Sequence, residues 1–569
     1  QKEICYPNEH INEIEKVFVK NNLEARMNQS TSNFSKKTQD IITFLRSLIY
    51  NTYFWLTTFD MIVNIHNKIL IFKYKELSLQ PFTKVNKRQL IACEIATVII
   101  LLGLIFWSVK PLLEEWGVLN AFNSRGIAFI FDNGLSIAMR PLHLTAYALQ
   151  WLLGNGHPFG VTAAVGVIMM LRYIVVRWAV TPLIKGQTRW LLATLAAVLI
   201  GWSGAWLGRF TPATLSAVFF FAVLGFSIRL SHKWSYAWAF GCIISTSFIL
   251  LSYQGLAFCL LVMPLLPLFC TDSVKKSKIE TLHSIIRISF PIGLTLIIYG
   301  LYSIIMTLKQ PEGYEATLAG DSARLLTLEG FINHINTAFS TAFGQELLLL
   351  PILIFIALFI HWYHTPDTIN PKYLMFDKVK VSLLVVLLPC LSTIYINSAH
   401  IRDTDRVLYP LSVGFVIVCV LIAIKNRNAN INNQKSNHAP FIIVLILLTS
   451  SIITASHVKK YATIQSDVLN QTISAIDNNH STSSIIIRDM TGTLGDVYTL
   501  LPPIMTDALA INGKKIDATI CTPISVDRLH PIAQRYPIPS TERCEEMANK
   551  PNGTLILTAQ FINNSLTIK

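Results

Sequence analysis

From residue 90 onward the chain alternates between long apolar runs and short polar segments. The runs are continuous rather than alternating, and each is close to the ~20 residues that a helix needs to cross a bilayer. Eleven spanning helices are predicted, over 90–109, 159–180, 190–208, 212–230, 235–252, 254–270, 283–307, 346–363, 381–397, 407–424 and 440–457. A weaker run, Ile41–Phe59, is broken by Arg46 and Asn51 and reads as an amphipathic segment lying at an interface. Beyond residue 458 the pattern changes. Strand-like runs at Ser484–Arg488, Ala518–Ile520 and Thr554–Thr558 are separated by turn signals at Pro502-Pro503, Asn512-Gly513 and Asn552-Gly553.

The expected fold is therefore an all-α polytopic membrane bundle of about eleven transmembrane helices with a small C-terminal extracytoplasmic α/β domain. Residues 1–88 form a cytoplasmic or interfacial N-terminal segment, 89–457 the membrane domain and 458–569 the C-terminal domain. The first 60 residues are polar and Asn-rich; no signal peptide is visible in them, and Met27 and Met61 are alternative starts.

Composition agrees with the pattern. Of 569 residues, 52% are hydrophobic and 14% charged, and the mean hydropathy is +0.47. Soluble proteins carry about 25% charged residues. The net charge of +14 does not point to nucleic acid, because Lys and Arg collect in short segments between apolar runs. With the N-terminus in the cytoplasm, basic segments such as Lys84–Arg88, Lys185–Arg189, Arg229–Lys233 and Lys275–Lys278 fall inside. Most acidic residues then fall outside, in 110–158, 308–345, 398–406 and the C-terminal domain. Cys93, Cys242, Cys259, Cys270, Cys390 and Cys419 lie in or beside apolar runs and read as packing residues. Cys521 and Cys544 lie in the outer domain, where an oxidising compartment would let them pair.

Candidate chemistry gathers on that outer side. Glu114 and Glu115 follow the first apolar run; alone they read as charges ending a helix, and together they are candidates for a general base. Asp132, in Asp132-Asn133-Gly134, either caps a helix over Leu135–Leu153 or is the functional acid. Arg140-Pro141-Leu142-His143 places an arginine suited to clamp a phosphate on a segment at the interface. His143 is a candidate phosphate ligand or acid. Arg402 and Arg406 stand at the mouth of a late helix, with Asp403 and Asp405 as ready ion-pair partners. Loop 308–345 carries Glu312, Glu315, Asp321, Arg324 and Glu329, which could cover a site or bind an acceptor. Tyr253 and Gln254 form an outer turn facing the same region.

These motifs resemble those of the GT-C superfamily of polytopic glycosyltransferases. The matching stretches are Glu114-Glu115-Trp116, Arg140-Pro141-Leu142, Leu153-Gly154-Asn155-Gly156-His157-Pro158, and Arg406-Val407-Leu408-Tyr409-Pro410-Leu411-Ser412-Val413-Gly414-Phe415. The resemblance covers residues 88–425 and extends to the glucosyltransferases that modify O-antigen in the lipopolysaccharide of the cell envelope. It departs in having glutamates where that family usually has aspartates, and the C-terminal domain matches no pattern in it.

The resemblance implies an inverting hexosyl transfer from a polyprenyl-phosphate-sugar donor to a glycan or lipid-linked acceptor. The site would lie on the periplasmic face of a bacterial inner membrane. Glu114, Glu115 or Asp132 would be catalytic, and Arg140, His143, Arg402 and Arg406 would hold the donor phosphate. Trp116, Tyr253, Gln254 and Tyr409 would contact substrate. No nucleotide fold is needed, and no metal-ligand cluster appears in the sequence, although a carboxylate pair is also able to hold a divalent cation. The competing readings are a transporter or flippase for lipid-linked sugars, and an O-antigen polymerase or ligase.

Overall fold

The structure, a computed structural model, describes residues 87–112, 114–131, 140–270, 278–309, 327–343, 394, 404–429, 439–479, 482–491, 502–523, 525, 542–544, 553–562 and 565–568. The segment Ile41–Phe59, the span 346–363, the span 381–397 apart from residue 394, loop residues 312–324, Asp132 and Arg402 lie outside the described residues.

The helices are α1 (Lys87–Ser108), α2 (Glu114–Arg125), α3 (Thr145–Gly154), α4 (Phe159–Val180), α5 (Gly186–Val198), α6 (Thr211–His232), α7 (Tyr236–Ser252), α8 (Pro267–Cys270), α9 (Lys278–Lys309), α10 (Leu328–Phe343), α11 (Thr404–Ala429), α12 (Ala439–Asp477) and α13 (Pro502–Ile511). Among the described residues, α1, α4, α6, α9, α11 and α12 are long and apolar enough to cross a membrane, and α7 is a shorter apolar helix. The protein is a membrane protein with a mostly helical body and a small mixed sheet. Its main core is built from aliphatic residues with alanines and aromatic rings between them, including Leu195, Val223, Leu224, Ile249, Val420, Ala193 and Phe220.

Two predicted spans are not regular helices. The run 190–208 is helical only to Val198, where Leu199 takes a left-handed backbone with φ 48°. The chain then continues through short 3-10 turns at Ser203–Trp206 and Gly208–Phe210. Gly201, Gly204 and Gly208 favour the break, since glycine loses more entropy in a helix than other residues. The run 254–270 is likewise 3-10 over Gln254–Leu256 and Phe258–Leu265, with Pro264 removing a backbone donor. Hydropathy scores side chains alone and is blind to both breaks. The helix expected over Leu135–Leu153 is also shorter: Pro141 to Leu144 form a turn and α3 starts at Thr145.

A broken helix leaves carbonyls without partners, and in an apolar interior side chains must meet them. The fully buried Arg172 of α4 donates through Nη2 to the Ala197 carbonyl at 2.6 Å. Ser412 of α11 donates to the Ile200 carbonyl at 3.2 Å. Farther along, Gln150 of α3 donates to the Gly208 carbonyl at 2.8 Å, and the Tyr147 hydroxyl to the Arg209 carbonyl at 2.7 Å.

The C-terminal part holds a five-stranded sheet of β1 (Ser484–Asp489), β2 (Asp517–Thr522), β3 (Glu542–Arg543), β4 (Thr554–Ile562) and β5 (Ser565–Ile568). Its order is β3-β2-β1-β4-β5; β1 through β4 run parallel and β5 is antiparallel to β4. Ile485, Ile487 and Ile520 point into a core shared with Met505 and Leu509 of α13. Cys521 and Cys544 form the expected disulfide at the β2–β3 edge.

This sheet is joined to the bundle by α12. Its 39 residues span ~58 Å at 1.5 Å per residue, against a hydrocarbon core of about 30 Å. The C-terminal part of the rod carries Val468, Leu469 and Ile476 into the domain core. Trp116 of α2 belongs to the same core, and its indole nitrogen donates to Gln465 of α12 at 3.4 Å. Gln465 in turn donates to the Leu112 carbonyl at 2.6 Å.

Removing this aromatic should therefore loosen the domain. Trp116→Ala is expected to cost about 3–5 kcal/mol and to speed amide exchange in β1 and β2. Unchanged exchange there would show that the domain core forms without α2.

Candidate active site

The elements fix where the chemistry lies. The end of α1, the starts of α4 and α6, the end of α7 and the start of α11 all reach one end of the bundle. There α2 and α3 lie across the helix ends.

Glu114 and Glu115 do not end a helix; they open α2. Carboxylates are favoured in a first turn, where backbone N–H groups point toward them. The two differ sharply. Glu115 is 1% exposed and packs against Gly208, where a Cβ would lie 2.7 Å from its Oε1. Any side chain at 208 would push the carboxylate away. Glu114 keeps a side chain that is 58% exposed and forms an ion pair of 3.6 Å with Arg209, itself 11% exposed. Arg209 lies over the Phe210 ring at 4.8 Å. The accessible acid of the pair is Glu114.

Arg209 was not among the residues that the sequence pointed to. It sat in a short turn between two apolar runs, with no acid near it along the chain. Its backbone is held by Tyr147 and by the Gln150 bond to Gly208, and Gln150 also donates to Thr211 Oγ1 at 2.8 Å. Burial, and then the charges of Glu114 and Glu115, push the Tyr147 hydroxyl well above its ordinary pKa. It is a neutral donor at any physiological pH.

The second group surrounds the turn after Arg140. Leu142 donates its N–H to the Leu251 carbonyl at 2.9 Å, and His143 Nδ1 lies 3.1 Å from the Ser252 carbonyl. These bonds tie the Arg140–His143 segment to the end of α7. Because a carbonyl only accepts, Nδ1 carries the proton and Nε2 presents its lone pair. His143 has a pKa lowered to about 4, first by burial and then by the positive charge of Arg140, with Arg406 adding to it. Both guanidiniums are thus within electrostatic reach of one imidazole, although Arg140 and Arg406 are far apart in sequence. Arg140 also lies 5.9 Å from the centre of the Tyr253 ring.

Tyr253 is central to an aromatic wall. It stacks on His143 at 6.3 Å and meets Tyr409 edge-on at 5.4 Å, and Tyr409 packs on Trp202 at 5.0 Å. Gln254, buried, hydrogen-bonds to the Tyr299 hydroxyl. Tyr409 is also buried. Trp116 points into the C-terminal core rather than toward this wall, because its large apolar ring finds a dry environment there. Asp405 is buried next to Arg406 at the start of α11.

The Leu153–Pro158 loop is held from α2. Asn123 donates to the Gly156 carbonyl at 3.1 Å and accepts from the Trp151 indole at 3.0 Å. Gly156 has φ +83°, and a Cβ there would collide with Asn123 Oδ1 at 2.3 Å, so this position requires glycine. On its other side α2 meets α13, where Asn120 donates to Asp507 at 2.8 Å.

Among the described residues no group of three or more His, Cys, Asp or Glu is arranged to hold a metal ion. What the site offers is one accessible carboxylate beside an arginine, a neutral imidazole, two further arginines and tyrosine rings. No family model matches this chain, and no curated protein is significantly similar to it.

The state of His143 has a testable pH signature. A folded pKa near 4 against an ordinary 6.5 means that the folded state resists protonation. The stability held above about pH 6.5 is lost as pH falls toward 4. His143→Asn, whose amide N–H replaces Nδ1–H, should flatten this part of a thermal-stability profile between those pH values. A difference profile with no slope there would refute the assignment.

Proposed function

We propose that the protein is a membrane glycosyltransferase that moves a sugar from a polyprenyl-phosphate donor to a glycan or lipid-linked acceptor. This reading takes the bundle as GT-C-like, with about eleven crossings, and the site on the periplasmic face of a bacterial inner membrane. The observation that carries it is the meeting, at one end of the bundle, of Glu114, Arg209, Arg140, His143 and Arg406. Three of the five, Glu114, Arg140 and Arg406, fall in the stretches that resemble the family's motifs.

The residues divide the reaction between them. Glu114 takes the proton from an acceptor hydroxyl as its oxygen attacks the anomeric carbon. The bond from that carbon to the phosphate oxygen breaks, and its electron pair leaves with the polyprenyl phosphate. Arg140 and Arg406 stabilise the charge that grows on this leaving group. Attack from the face opposite the phosphate inverts the anomeric centre. His143 is neutral with Nε2 as an acceptor, so it suits orienting a hydroxyl better than binding a phosphate. Tyr253 supplies a ring face for the sugar. Glu115, buried against Gly208, holds the geometry.

A second reading is favoured by one observation. Two stretches between helices, Leu199–Phe210 and Tyr253–Leu266, run through the interior without regular helix. Interrupted helices near the middle of a bundle are also how transporters build substrate sites. A transporter of lipid-linked sugar would move the donor across a vesicle membrane without cleaving it.

The test is transfer from a radiolabelled polyprenyl-phosphate hexose in proteoliposomes. Glu114→Gln should lower kcat by about 100-fold or more, the scale of a lost general base, and should leave donor binding nearly intact. Arg140→Ala and Arg406→Ala should each weaken donor binding as well as turnover. Donor movement without sugar transfer would replace the enzyme reading by the transporter. Full transfer by Glu114→Gln, Glu115→Gln and the double variant would remove the acids from the mechanism.

A further inference from the structure

At the opposite end of the bundle, α1, α4 and α5 meet around a second set of polar side chains. Arg177 of α4 grips Glu94 of α1 with two prongs: Nε donates to Oε1 at 3.4 Å and Nη2 lies 3.1 Å from Oε2. One turn away on α4, Tyr173 is 4% exposed and its hydroxyl has no hydrogen-bond partner among the described residues. Arg189, near the start of α5, has a buried Nε that also lacks one among them. Glu94, Arg177 and Arg189 all act electrostatically on the Tyr173 hydroxyl, so the four side chains form one cluster. Beside it, the Trp190 indole is already used, donating to Thr97 at 3.2 Å.

The unmet groups have a common character. A guanidinium Nε–H only donates, and a tyrosine hydroxyl next to arginines presents its proton outward. Two guanidiniums against one carboxylate leave a single positive charge. A neutral water can accept these hydrogen bonds but cannot balance that charge. A singly charged phosphate group does both, and arginine forks match its oxygens.

The surroundings are apolar. Ile174 lies one turn from Arg177 on the same face of α4, and Ile95 follows Glu94 on α1; both are exposed. An occupant with an anionic head and apolar tails would be met by both kinds of surface.

We propose that Tyr173, Arg177 and Arg189 form a binding site for an anionic phosphate group, supplied by the phosphodiester headgroup of an anionic phospholipid. Tyr173 and the Arg189 Nε donate to its oxygens. Arg177 stays paired with Glu94 and faces the phosphate with its remaining edge. The site is independent of any reaction at the other end of the molecule.

The full chain, reconstituted in phosphatidylcholine vesicles with or without phosphatidylglycerol, can be released in mild detergent and weighed by native mass spectrometry. Wild-type protein should retain a phosphatidylglycerol adduct. Tyr173→Phe and Arg189→Gln should each reduce its occupancy at least several-fold, and Arg189→Lys, which keeps the charge but loses Nε–H, should retain an intermediate amount. Inorganic phosphate serves as the second probe. If it binds and protects Arg189 from dicarbonyl modification while no lipid adduct is seen, the anion site stands and its occupant is soluble. No adduct and no protection, or an adduct indifferent to both Tyr173→Phe and Arg189→Gln in variants that elute as the wild type does, would overturn the proposal.

Discussion

An unmet carbonyl inside an apolar bundle is the constraint on which the candidate site depends. Where α5 stops at Val198, the chain still has to reach the far end of the bundle, and it does so in short 3-10 turns rather than a continuous α-helix. Arg172 and Ser412 meet the first carbonyls, and Gln150 and Tyr147 meet the last. Arg172 is a costly way to do this. Its charge is fully buried, and its Nε and Nη1 have no hydrogen-bond partner among the described residues. The return is positional. The extended path delivers Gly208 against Glu115 and Arg209 against Glu114, which a continuous helix would not have offered at that spot.

The C-terminal domain is bound up in the same arrangement. Helix α2 carries both acids on its first turn, and the next residue, Trp116, is part of the domain's core. Asn120 one turn later is bonded to Asp507 of α13, and Asn123 holds the loop before α4. One short helix therefore touches the domain, the bundle and the site. A 12-residue helix is marginal by itself in water, so these contacts are what keep it formed. The domain is in this sense a wall for α2 rather than an appendage on a linker, and the unbroken α12 transmits that rigidity from the membrane.

Much of this organisation was legible in the sequence, for a definite reason. Spans such as 159–180 and 212–230 coincide closely with α4 and α6, because an apolar run of that length has few other stable forms. Strands β1, β2 and β4 were marked by Ile-rich runs between turn residues. The break after Val198 and the 3-10 path of the run from Gln254 to Leu265 were not legible, since apolar content says nothing about which carbonyls find partners. Polar residues inside the bundle were underestimated for a related reason. Glu94 and Arg177 look like isolated charges in their own runs and become a pair only when α1 lies on α4. Arg209 was hidden in the same way, its partner lying far back in the sequence.

Exposure and charge divide the acids and bases of the site in a way that spacing did not. Glu114 and Glu115 are adjacent in sequence, yet successive helical residues point about 100° apart. One side chain is therefore driven into the interior at Gly208 while the other stays at the surface with Arg209. The same separation occurs among the basic groups. Burial first, and then the positive charges of Arg140 and Arg406, lower the pKa of His143 and keep it neutral. An imidazole in that setting has an acceptor to offer and no charge, so under the proposed function the phosphate would be met by the guanidiniums. A site with a surface carboxylate on one side and paired arginines around a neutral acceptor on the other has a built-in polarity. Under the proposed function a hydroxyl would meet the first and a phosphate the second, with the Tyr253 ring stacked on His143 beside them.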